Sequence, residues 1–108
     1  MSQNISKYGK IFDKNSPSWS EDQESNDLYL RSTQMYFTDL LKVRGYVFLR
    51  DVYEMLGIPI TKTSIFVGWH VKSDISDRYV DFGATLLNDG TYQLDFNVDG
   101  DITKYFED

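Results

Sequence analysis

The sequence predicts an α+β fold: two helices, over about 27–44 and 49–56, pack on one face of a three-stranded antiparallel sheet over about 64–71, 79–87 and 91–98. Three observations carry this prediction. Apolar residues recur at three- and four-residue steps up to Gly45, and again over a shorter stretch up to Gly57, as an amphipathic helix requires. From Ile65 onward the period changes to two, in three successive runs, which puts alternate side chains on opposite faces of a strand. The last two runs are joined through Asn88-Asp89-Gly90, residues that tolerate the positive φ angles of a tight hairpin.

Taken in order, residues 1–24 are polar and without sustained periodicity, and are read as a flexible arm ahead of a single domain over 25–108. Tyr8, Ile11, Phe12 and Trp19 are the residues in it suited to docking, Trp19 at the edge of a core. Ser25 or Asn26 is placed to cap the first helix, with Asp27 near its positive end. Its inner stripe is Leu30, Gln34, Phe37, Leu40, Leu41 and Arg44, widened by Tyr36 and Val43. Gly45 supplies the left-handed stop, with Lys42 and Arg44 in the last turn. Tyr46-Val47-Phe48 is an extended link. Val52, Met55 and Leu56 face inward from the second helix, Gly57 ends it and Pro59 prevents its continuation. A helix, a short link and a helix also describe a DNA-reading motif, but Arg50 stands beside Asp51 and Glu54, a poor match to the charge that phosphate contact demands.

In the strands, Ile65, Val67, Trp69 and Val71 alternate with Phe66, Gly68 and His70. Val80, Phe82, Ala84 and Leu86 alternate with Asp81, Gly83 and Thr85. Tyr92, Leu94, Phe96 and Val98 alternate with Gln93, Asp95 and Asn97. Ile102 to Phe106 is read as a last helical turn capped by Asp101. With 108 residues, 41% of them hydrophobic and 16% aromatic, the chain has the material for one core. It contains no cysteine, which excludes disulfides, thiolate metal sites and a cysteine nucleophile. No apolar run near Met1 resembles a signal peptide and none elsewhere is long enough to span a membrane, so the expected location is cytoplasmic.

The net charge of −6 is unevenly placed. Residues 1–70 hold eight acids and eight bases, whereas residues 71–108 hold nine acids against Lys72, Arg78 and Lys104. Asp81 and Asp95 fall on the outward face of the sheet, and Asp74, Asp77 and Asp89 in its turns. Such a surface repels phosphates and attracts basic protein surfaces.

Catalytic constellations are weak. His70 is the only histidine, and one imidazole in a strand does not furnish a triad or a multi-histidine metal site. A site joining His70 to Asp74 or Asp77 lacks the nitrogen and sulfur ligands zinc prefers. Asn97-Val98-Asp99-Gly100-Asp101 places oxygens at alternate positions as calcium loops do, with Asp108 eleven residues after Asn97. The glycine nevertheless stands fourth instead of sixth and no glutamate closes the loop, so the segment is read as a turn. Asp81-Phe82-Gly83 spells a kinase tripeptide without the other kinase elements. The expectation is a protein that is not an enzyme and takes no cofactor or metal.

The run LLKVRGYVFLRDVYEMLG at 40–57, with Val67-Gly68-Trp69, Tyr79-Val80-Asp81-Phe82-Gly83 and Leu94-Asp95-Phe96-Asn97-Val98-Asp99-Gly100, resembles a family of small uncharacterised proteins of phages and integrative elements of Gram-positive bacteria. The likeness spans roughly residues 30–102. It implies a mobile-element origin and no activity. The first functional expectation is therefore an inhibitor of host defence of the anti-CRISPR type. Asp74, Asp77, Asp81, Asp89, Asp95, Asp99 and Asp101 would cover a basic nucleic-acid-binding surface of an RNA-guided nuclease, with Tyr79 and Tyr92 as anchors and no direct contact with nucleic acid. The alternative is a virion or replication accessory protein that self-associates through its apolar helix and Trp19.

Overall fold

The computed structural model describes residues 8–106. Its elements are β1 (Lys10–Phe12), α1 (Gln23–Arg44), β2 (Tyr46–Phe48), α2 (Leu49–Leu56), β3 (Val67–His70), β4 (Thr85–Leu86), β5 (Tyr92–Leu94) and β6 (Gly100–Asp101), with single 3-10 turns at Thr63–Ile65 and Thr103–Phe106. The α+β class and the two helices stand as expected. The strands pair differently: two three-stranded antiparallel sheets form, in the orders β1-β5-β4 and β2-β3-β6.

Both helices stop where glycine allows the left-handed conformation, Gly45 at φ 92° and Gly57 at φ 71°. The start of α1 differs from the expected cap. Asp22 is the N-cap and makes no side-chain capping bond. Asn26 lies inside the first turn, buried, where its amide donates to Ser20 O at 2.7 Å and its carbonyl accepts from Ser20 N at 2.9 Å. A side chain here does what a paired strand would do and clamps the preceding segment to the helix. The inner face carries Leu30, Thr33, Phe37 and Leu41. Tyr36 and Val43, expected to widen that stripe, lie 52% and 86% exposed on the opposite face.

The described part of the segment before α1 is paired and packed into the fold. Within its described residues, β1 pairs with β5 in the register Lys10↔Leu94, Ile11↔Gln93, Phe12↔Tyr92. Phe12 is fully buried among the rings of Trp19, Tyr29 and Tyr92. The Ser16 hydroxyl donates to Leu56 O at 2.6 Å and so satisfies a carbonyl that the end of α2 leaves open. Tyr53 O–H donates to Tyr8 O at 2.7 Å. One inward side chain in a three-residue strand leaves no periodicity to detect, and its pairing partner lies at the other end of the chain.

The run over 79–87 forms ladder pairs only at Thr85 and Leu86. Its earlier part is held from two sides. Phe82 O and Asp81 O accept from Asp95 N (2.8 Å) and Asn97 N (3.1 Å). On the helix side, Thr38 Oγ1 accepts from Val80 N (3.0 Å) and donates to Val80 O (3.2 Å), and Gln34 Oε1 accepts from Phe82 N (2.8 Å). Two residues along a strand advance about 6.6 Å and four along a helix about 6 Å, so the helix side chains meet alternate backbone groups. Polar residues of α1 thus stand in for a neighbouring strand.

In the second sheet β3 is central, pairing with β2 through Val47↔Trp69 and with β6 through Gly68↔Gly100. All four β3 residues are buried, not alternate ones, because the rings of Tyr46, Tyr105 and Phe106 cover the His70 side. Leu87–Thr91 forms the hairpin, closed by Leu87 N to Thr91 O at 2.8 Å with Gly90 at φ 87°. Among the described residues no helix is long and apolar enough to cross a membrane.

Candidate binding surface

Asn97 organises the acidic region. It sits just beyond β5, and each of its amide atoms is used twice. Its Oδ1 accepts from Trp69 Nε1 and from Asp81 N, both at 2.7 Å. Its Nδ2 donates to Asp77 Oδ2 at 3.0 Å and to Tyr79 O at 3.1 Å. Four bonds are the full capacity of a carboxamide. They tie the loop over 71–81 to β3 and to the strand segment after β5.

Around this hub the structure gathers Asp77, Asp81 and Asp99, with Asp74 and Tyr79 on the same loop. The loop is built on serine turns: Ile75 N donates to Ser73 Oγ and Arg78 N to Ser76 Oγ. Arg78 takes a positive φ of 63°, which costs a non-glycine residue about 1 kcal/mol. Beyond it Tyr79 is 46% exposed, and on the same loop Ile75 is 69% exposed. Ile75 went unnoticed in the sequence, where a lone apolar residue among polar neighbours carries no periodic signal.

The seven aspartates do not make one uniform face. Asp89 lies at the hairpin tip in a separate depression with Asp13, Lys14, Trp19 and Glu21. Its Oδ1 accepts from Thr91 N and Oγ1 at 3.0 and 2.6 Å. Asp101 caps the last turn as expected, accepting from Thr103 N and Oγ1 at 2.9 and 2.6 Å. These hydrogen bonds hold both carboxyls below the usual carboxylate range. Asp81 accepts from Gly83 N at 2.8 Å, and Asp95 is half-buried beside Gly83. Tyr92, expected as an exposed anchor, is 3% exposed and belongs to the core. As a residue of the central strand it turns its ring towards α1, where its hydroxyl donates to Asp27 at 2.5 Å. Burial and that carboxylate push the phenol up to about 12.

Asp99 is the aspartate here whose burial matters. Burial raises its pKa and the Asp77 charge raises it further, against a 2.9 Å hydrogen bond from His70 N that lowers it. A raised carboxyl favours the folded state most when protonated: its contribution is full below the unfolded pKa and is lost as pH rises through the folded one. Asp99→Asn keeps an acceptor for His70 N and removes the charge. The variant is expected to unfold at a higher temperature than the wild type at neutral pH, with the difference closing as the acid range is entered. Calorimetry across that range checks it, and a lower melting temperature at neutral pH would contradict it.

His70 accepts from Lys72 N through Nδ1 at 3.1 Å, and burial, then Lys72, lower its pKa. Its ring packs among those of Tyr46, Tyr105 and Phe106. Among the described residues no three His, Asp or Glu side chains converge as a metal site requires.

Fold and surface together define a small α+β domain of two antiparallel sheets that presents an acidic loop edged by Ile75 and Tyr79. The chain belongs to the Family of unknown function (DUF6353), whose model matches residues 1–106. No curated protein and no solved structure matches it.

Proposed function

We propose that this protein is a non-enzymatic inhibitor of host defence, encoded by a phage or mobile element of Gram-positive bacteria and working in the host cytoplasm. It lays the 71–81 loop and the neighbouring Asp99 on the basic nucleic-acid-binding surface of a defence nuclease of the RNA-guided type. One observation carries the reading. Among the described residues both ion pairs involve Asp51, with Arg44 and Arg50, so none of Asp74, Asp77, Asp81 or Asp99 is neutralised by an internal cation. Their field is therefore directed outward, where complementary charge speeds encounter and selects the partner. Ile75 and Tyr79 supply apolar contact in the same loop, and an aromatic anchor with a polar tip suits a binding centre.

Asp74 and Tyr79 are the positions at which to test this, because both are exposed and, among the described residues, no hydrogen bond through their side chains holds the fold. Cleavage of target DNA by an RNA-guided nuclease of a Gram-positive host is measured with the protein added first. Inhibition is expected to weaken at least tenfold when salt rises from about 50 to about 200 mM. The combined Asp74→Lys and Tyr79→Ala variant should lose at least as much while melting like the wild type. Undiminished inhibition by that variant would remove the loop from the mechanism, and absence of inhibition across such nucleases would remove the function.

A further inference from the structure

The outer side of the β2-β3-β6 sheet is covered by rings. Val47 and Trp69 are fully buried in the core, so their neighbours Tyr46, Phe48 and His70 point the other way. Tyr46 and His70 stand opposite each other across the ladder. The C-terminal turn Thr103–Phe106 lies over them. Phe106 meets Tyr46, Phe48 and His70 at centroid separations of 4.8, 5.7 and 5.3 Å, and Tyr105 meets His70 at 4.7 Å. His70 is only 6% exposed beneath this cover. The turn is closed on itself by Tyr105 N to Ile102 O at 3.1 Å, and Thr103 is bonded to Asp101. Among the described residues no hydrogen bond joins Lys104, Tyr105 or Phe106 to β2 or β3, so the turn is held on the sheet by its ring contacts.

The imidazole under this turn is arranged for its uncharged form. Nδ1 accepts from Lys72 N at 3.1 Å, which leaves the ring proton on Nε2. Charging the ring adds a proton at Nδ1 that points against the Lys72 N–H. Among the described residues no carboxylate pairs with the ring, since both ion pairs lie at Asp51. Cations surround it instead. Lys72 follows on its own segment, Lys104 lies over the Tyr105 ring at 5.2 Å, Arg44 over Tyr46 at 4.3 Å and Arg50 over Phe48 at 5.8 Å. A ring face attracts an imidazolium by about 0.5–2 kcal/mol, but Tyr46 and Tyr105 already hold cations. Of the acids on the β6 side, Asp101 spends its carboxyl on Thr103, and Asp99 accepts the His70 backbone N–H at 2.9 Å. Glu107 and Asp108 follow the turn outside the described residues.

We propose that the turn Thr103–Phe106 is a latch released by protonation of His70, which gives up Lys72 N, expels the rings of Tyr105 and Phe106 and uncovers Tyr46 and Phe48. The same proton loosens the entrance of the acidic loop, because Lys72 N loses its acceptor. Burial, then Lys72, lower the His70 pKa from its ordinary 6.5. The latch is therefore at full strength above the value of the uncovered ring and weakens as pH falls through the value of the covered one. Asp99, with its raised pKa, works in the opposite direction in acid.

The test is an NMR titration of the full chain from about pH 8 to about pH 5, in which the only histidine gives a single set of imidazole signals. His70 is expected to titrate below the ordinary 6.5. The Lys72 amide and the ring signals of Tyr105 and Phe106 should move with the same midpoint, the rings toward the positions of unpacked side chains, while Trp69 in the core stays. Phe106→Ala removes part of the cover from a residue 46% exposed and should raise the His70 midpoint toward 6.5. His70→Phe keeps a ring in place that cannot charge, and the movement of Tyr105 and Phe106 should vanish. That variant separates the imidazole proton from those of Asp99 and of the acids after the turn. Should His70→Phe not fold, the wild type and Phe106→Ala still decide the matter. A His70 midpoint at or above 6.5 would overturn the proposal. So would a turn that stays packed while His70 titrates, the same movement in His70→Phe, or a midpoint unchanged by Phe106→Ala.

Discussion

Asn97→Ala is expected to destabilise the fold by about 2–4 kcal/mol and lower the melting temperature on the order of 10 °C. The magnitude comes from what the truncation strands. Trp69 is fully buried, and its indole N–H has Asn97 Oδ1 as acceptor at 2.7 Å. The backbone N–H of Asp81 uses the same oxygen. An alanine leaves both donors without that acceptor, and a buried unpaired donor costs about 1–3 kcal/mol. It also releases the Asp77 carboxylate and the Tyr79 carbonyl, so the acidic loop loses its attachment. Thermal unfolding by circular dichroism measures the stability, and hydrogen exchange over 71–81 measures the loop. Asn97→Asp separates the two roles. Its oxygens still accept from Trp69 and Asp81, but a second carboxylate then faces Asp77 across about 3 Å. That variant should be destabilised at neutral pH and recover in acid, where protonation of either carboxyl restores a donor. A variant Asn97→Ala that melts with the wild type would show that the hub does not hold the loop.

Gly68→Ala is expected to be more severe, with a loss of about 3 kcal/mol or more and little folded protein recovered. A Cβ at Gly68 would stand 2.1 Å from Val47 O, 2.9 Å from Phe48 Cα and 3.0 Å from Val47 C. All three are backbone atoms of β2, so no side chain can rotate away. Relief requires β2 and β3 to separate, in the sheet that seats Trp69 and Val47, both fully buried. Gly90→Ala is the control. No atom lies within 4 Å of a Cβ there, so its cost is confined to the positive φ, about 1 kcal/mol. Soluble yield and urea midpoints of the two variants should differ widely; similar values would mean that β2 and β3 can move apart cheaply.

These two residues show how far the sequence could be read. Gly68 stood in an alternating run as one more outward position, because periodicity does not reveal that a neighbouring backbone passes within contact distance. Asn97 stood at an outward position in the last run. Its role depends on Trp69 Nε1, a partner 28 positions earlier. The division of the aspartates has the same cause. Asp101 and Asp89 are turn acceptors for residues two positions ahead, and for Asp101 the sequence foresaw the cap. Asp99 is half-buried because His70 and Asp77 approach it from elsewhere in the chain.

What the sequence determined by itself is what acts within a few residues. It set the two helices with their glycine stops, the hairpin at Asn88-Asp89-Gly90, the last capped turn and the concentration of acids after residue 70. Propensity, capping and turn chemistry are local energies, and they leave local marks. The tertiary structure alone decided that Lys10–Phe12 joins β5, that the strands divide between two sheets, and that Tyr92 turns inward. It also left Tyr36 and Val43 of α1 facing outward. Each of these depends on which distant segments bury one another's surface and satisfy one another's backbone groups, and that is settled only when the whole chain packs.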